Sequence, residues 1–83
     1  MLRNLLLDPQ VVLEVLKMMG CVLGPSSGSL RAVVNPRERG CSAVLDMSGP
    51  MDGETIEIHL ENLDLDQTEF LNCFNRFKTP FAN

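Results

Sequence analysis

Trp and Tyr are missing from this 83-residue sequence, and its four Phe (Phe70, Phe74, Phe77, Phe81) all fall in the last fourteen residues. A surface of stacked aromatics, the usual platform for unpaired bases, is therefore excluded from the first 69 residues. Histidine occurs once, at His59. That rules out every site needing two imidazoles, and with cysteines this far apart in sequence it leaves no zinc site to write. The three cysteines, Cys21, Cys41 and Cys73, are 20 and 32 residues apart. An odd set with no CxxC pair gives neither a full disulfide framework nor a metal knuckle, so they read as buried free thiols in a reducing compartment.

Long apolar runs are absent as well. No stretch approaches the roughly 20 residues that span a bilayer. The opening Met1-Leu2-Arg3-Asn4-Leu5-Leu6-Leu7, with Met19-Gly20-Cys21 after it, has the outline of an export leader. Asp8, Pro9, Gln10, Glu14 and Lys17 break its apolar core, so no leader is expected and the expected compartment is the cytoplasm.

Lys and Arg are absent between Gly40 and Asn75, a stretch holding eight acids: Asp46, Asp52, Glu54, Glu57, Glu61, Asp64, Asp66 and Glu69. Arg31, Arg37 and Arg39 gather in the preceding segment. With a net charge of −4, the chain offers little to phosphate backbones, and nucleic acid is not an expected partner. Apolar residues make up 45% and charged residues 22%, the balance of a folding chain. At this length one core is expected, hence one domain over residues 1–83 with an added N-terminal turn in 1–7 and a tail at 79–83.

Asp8-Pro9 predicts a helix start, with the carboxylate capping free N–H groups and proline at the first helical position. The helix runs to about Met19, and Gly20 serves as its left-handed cap. Val11, Val12, Leu13, Val15, Leu16, Met18 and Met19 leave only Gln10, Glu14 and Lys17 as a wet stripe. An ordinary surface helix has the opposite proportion, so a further surface is expected to cover it. Gly24-Pro25-Ser26-Ser27-Gly28 reads as a loop. Leu30–Val34 and Cys41–Met47 read as strands, and Thr55–Glu61, with Ile56, Ile58 and Leu60 alternating against polar neighbours, as a third. Symmetric hairpins then pair Val34 with Cys41, Ala32 with Ala43 and Leu30 with Leu45, and beyond these Cys41 with Leu60, Ala43 with Ile58 and Leu45 with Ile56. Leu65-Asp66-Gln67-Thr68-Glu69-Phe70 announces a second helix by cap and staple. Its apolar stripe is Phe70, Cys73, Phe74 and Phe77, and Thr79-Pro80 ends it. The expected fold is α+β: helix, three-stranded antiparallel meander, helix, with both helices on one face of the sheet in two layers.

No catalytic, cofactor or metal site emerges. A Ser42, His59 and Glu57 grouping can be drawn on the outer face of that sheet, but a flat face supplies neither a pocket nor an oxyanion donor. The Gly24–Ser29 segment lacks the lysine and the strand-to-helix setting of a phosphate loop. The expectation is a small non-catalytic interaction module (adaptor, specific chaperone or inhibitor) that pairs with itself and with another protein. The alternative is a small-molecule binder or minor enzyme with a pocket between helices and sheet. The candidate interaction surface is Val12, Leu16 and Met19 on the first helix, Arg31, Val33, Arg37 and Arg39 on the first strand and its turn, and Glu57, His59 and Glu61 on the third strand.

Overall fold

The computed structural model describes residues 2 and 4–78; the Thr79-Pro80 stop, Phe81 and the 79–83 tail lie outside the described residues. In chain order the elements are β1 (Leu6–Leu7), α1 (Pro9–Met18), β2 (Val22–Ser27), β3 (Leu30–Val34), β4 (Ser42–Asp46), β5 (Met51–Asp52), α2 (Gly53–Asn62) and α3 (Gln67–Lys78). Strands β2, β3 and β4 form a three-stranded antiparallel sheet in the order β2-β3-β4, as expected in strand number and direction but not in membership, and β1 pairs with β5 in a second, two-stranded one. The chain is thus of mixed α+β class.

Both ends of α1 follow from the sequence. Asp8 accepts the Gln10 N–H at 2.8 Å, with Pro9 at the first helical position. At the other end Gly20 adopts φ +98°, its N–H bonding to the Lys17 carbonyl while that of Cys21 bonds to Leu16. This two-bond closure needs a left-handed residue, which glycine supplies without strain. The predicted cap of α3 is also present, Asp66 accepting the Glu69 N–H at 3.0 Å. Phe70, Cys73 and Phe74 on its inner stripe are buried, whereas Phe77 is partly exposed.

The third predicted strand is instead a helix. Ile56, Ile58 and Leu60 satisfy a period of two, but Ile56, Leu60 and Leu63 satisfy i, i+4, i+7, and these three are buried while Ile58 is 53% exposed. Asp52 decides between the patterns, since its carboxylate accepts the Thr55 N–H at 2.8 Å and caps α2. The third strand of the sheet is instead Val22–Ser27, expected in part to be loop, and it pairs with β3 and not on the β4 side where Thr55–Glu61 was expected. It turns into β3 through a two-residue connection, Gly28-Ser29, with Ser27 opposite Leu30. Gly28 at φ +59° is the first central residue of such a tight hairpin.

The β3–β4 register also differs by one residue from the expected pairing. Val34 faces Ser42, Val33 faces Ala43 and Arg31 faces Leu45. Ala43 and Leu45 point inward as predicted, but on β3 Val33 rather than Ala32 joins them. Asn35 accounts for the slip. Its side chain is buried, donating to the Leu63 carbonyl at 2.8 Å and accepting the Arg37 N–H at 3.1 Å. An inward Asn35 fixes Val33 inward, because side chains alternate strictly along a strand.

Residues of α1, α2 and α3 share one core with Val33, Ala43 and Leu45, so the helices gather on one face of the sheet. Here α1 packs against α3, and α2 against β4 and β5. Leu2 is also buried in this core. The Leu5 N–H bonds to the Leu2 carbonyl ahead of β1. No helix among the described residues is long and apolar enough to cross a membrane.

Candidate functional site

The structure disperses the ten predicted surface residues. Val12, Leu16, Met19 and Val33 are buried in the core. The expectation that α1 keeps oily surface for a partner is therefore corrected: Val12, Leu13, Val15, Leu16 and Met19 are buried within one protomer, Val11 is half-buried, and Met18 alone of the seven is exposed. The second layer of the fold has three helices rather than two, and the added helix is the segment expected to be a strand.

Arg37 and Arg39 stand in the β3–β4 turn. The Arg37 guanidinium donates to the Met19 carbonyl at 2.8 Å, a cation at the negative end of α1. Burial pushes the adjacent Cys21 thiol up, against the opposing pull of Arg37. Glu57 and His59 are half-buried on α2 and Glu61 is exposed there. The Ser42, His59 and Glu57 grouping relied on a strand that does not exist, so it has no geometric basis.

Besides the scattered Leu6, Met18, Ile58 and Phe77, the fold leaves uncovered the opposite face of the three-stranded sheet. Val22 sits across from Val34, Val34 from Ser42, and Ala32 from Val44, with Leu30 between Ser27 and Asp46. Of these Val22 is 54% exposed, Leu30 45%, Val34 39% and Val44 56%. Four aliphatic side chains around Ala32 thus form one apolar patch, and Asp46 at its corner carries the only charge of the paired strand residues on that face. The sequence reading had Val44 on the outer side but turned Leu30, Ala32 and Val34 inward. The Gly28-Ser29 dipeptide before Leu30 was the signal that would have found β2 and with it Val22.

Two clefts adjoin the sheet. One, of about 360 Å³, lies between β4, the β4–β5 connection and α2 and is lined by Val44, Asp46, Ser48, Met51, Asp52 and His59 among others. Asp46 and Asp52 are held below the usual carboxylate range by bonds from Ser48 and Thr55 respectively. Burial lowers the His59 pKa, and its Nδ1 is buried with no hydrogen-bond partner. The other cleft, of about 240 Å³, opens beside Arg31. No group of three or more His, Cys, Asp or Glu among the described residues is arranged to hold a metal ion. No protein-family model matches the chain, and neither a curated protein nor a solved structure shows significant similarity to it.

Proposed function

We propose that the chain is a small non-catalytic interaction module that pairs with a second copy of itself through the outer face of the β2-β3-β4 sheet. The supporting observation is the uncovered patch of Val22, Leu30, Val34 and Val44. Two copies of a chain with net charge −4 repel one another, and this nearly uncharged face is where that repulsion is least. Laying the sheets antiparallel across one another sets the Asp46 end of one copy beside the Arg39 end of its mate and brings Ala32 and Val44 onto their own counterparts.

The sheet edge is the weaker surface for pairing. On the β2 side the ladder is interrupted between Leu23 and Ser26, where Pro25 has no N–H to offer, and such features blunt an edge against strand addition. On the other side α2 lies against β4. The face is small: three strands about 4.8 Å apart and five residues of about 3.4 Å give roughly 250 Å² in projection. A standard interface buries about 800 Å² per partner, so the expected dimer is reversible and concentration-dependent.

Sedimentation velocity over a wide concentration range tests this, with Val44→Lys alongside. The expected result is a dimer population that grows with concentration in the parent protein and vanishes in folded Val44→Lys. A parent protein that stays monomeric, or a Val44→Lys variant that still dimerises, refutes it. A second reading, a binder of small molecules, is favoured by the cleft with the unpartnered His59 Nδ1. Its 360 Å³ falls within the range of ligand pockets.

A further inference from the structure

Among the paired strand residues described, Arg31 is the one charged residue on the core-facing side of the sheet. It lies between Ser26 on β2 and Leu45 on β4, in the alternation that sends Val33 and Ala43 into the core. Its side chain is half-buried, and its Nε is fully buried with no hydrogen-bond partner. The ion pair present among the described residues, Lys17 with Glu14, does not involve it. A guanidinium cannot relieve such a position by losing its proton, and a buried donor left without a partner is costly. No carboxylate lines the adjoining cleft, whose walls are Gln10, Leu13, Ser26, Leu30, Arg31 and Met47 with the Gly28-Ser29 turn.

We propose that Arg31, with the Ser26 hydroxyl directly across from it, binds a small oxyanion, the carboxylate or phosphate group of a low-molecular-weight ligand. The chemistry is that of a planar donor fork meeting a planar or tetrahedral oxyanion, the pairing for which arginine is best suited. Size limits the ligand. About 240 Å³ is less than the roughly 300 Å³ at which drug-sized pockets begin, room for a free anion or a short acid. Nearby groups narrow the choice further: the Gln10 amide is bonded to Glu14. Arg31 is left as the only cation of the site, and a singly charged group suits it better than a multiply charged one.

The test is a titration of the whole chain with sodium acetate and, separately, with inorganic phosphate at constant ionic strength, followed by amide NMR shifts at Gly28, Ser29 and Arg31. Saturable shifts with half-saturation on the order of millimolar are expected. They should weaken about tenfold or more in Arg31→Met and survive in part in Arg31→Lys. Saturation by acetate alone identifies the carboxylate as the group recognised, and saturation by phosphate identifies the phosphate; either supports the site. Shifts that drift linearly with both anions, or that saturate equally in Arg31→Met, overturn it. Because the parent protein is itself titrated, a variant that fails to fold does not remove the test.

Discussion

Asn35 joins two parts of the molecule that the sequence separates. One side chain closes the β3–β4 turn on the Arg37 N–H and reaches the Leu63 carbonyl at the end of α2. Replacing it with Ala leaves the buried carbonyl without this donor, and a loss of about 1–3 kcal/mol in chemical denaturation is expected. Asp64 is the residue after the α2 cap, in the left-handed region at φ 55°. Its N–H bonds to Glu61 and that of Leu65 to Leu60, so Asp64→Gly should stabilise by up to about 1 kcal/mol at neutral pH. A hydrogen bond to Asp64 raises the Glu38 pKa. That bond therefore contributes when acid protonates Glu38 and is lost as pH rises through the folded-state value, so the benefit of Asp64→Gly should shrink in acid. His59 has the opposite sign. Its folded pKa lies below the ordinary 6.5, so stability is fully present above that value and falls as pH drops through the folded one. His59→Gln should flatten the fall in a series of thermal melts between pH 7 and 5.

At the scale of elements, α2 makes the sharpest prediction. Ile56→Ala removes a buried side chain and should cost about 2–5 kcal/mol, whereas Ile58→Lys should change stability by no more than about 0.5 kcal/mol in denaturant unfolding. A strand at this position would have made the two equally damaging. The helices at either end were legible because each begins with a chemical signal, Asp8-Pro9 or Asp66 with Glu69, that has one structural meaning. The middle helix was hidden because Ile56, Ile58 and Leu60 fit two periods. The spacing of Asp52 to Thr55, and Leu63 further on, would have separated them. Strand β2 was hidden by Gly24, Pro25 and two serines, residues typical of loops that here form an irregular edge. The one-residue slip of β3 was beyond local reading, since it depends on Asn35 finding a carbonyl 28 residues away. For the same reason the candidate site was only partly legible: Arg31 was singled out, but its orientation and the uncovered sheet face both follow from that register.

For the molecule as a whole, the location of exposed apolar surface decides which substitutions separate folding from association. Val12→Glu now places a carboxylate in the core and should abolish the folded circular dichroism signal rather than yield a folded monomer. The variant expected to leave folding intact while removing self-association is Val44→Lys. The two-stranded sheet has a different consequence. Leu6 pairs with Asp52, and the Gly53 N–H bonds back to the Leu5 carbonyl, so a segment made early on the ribosome finds its partner only about 46 residues later. Until then Leu5 and Leu7, which pack against the core in the folded chain, have nowhere to dock. This closure should come late in folding, and pulse-labelled hydrogen exchange should find residues 5–7 and 51–53 gaining protection together, after the hairpin of β3 and β4.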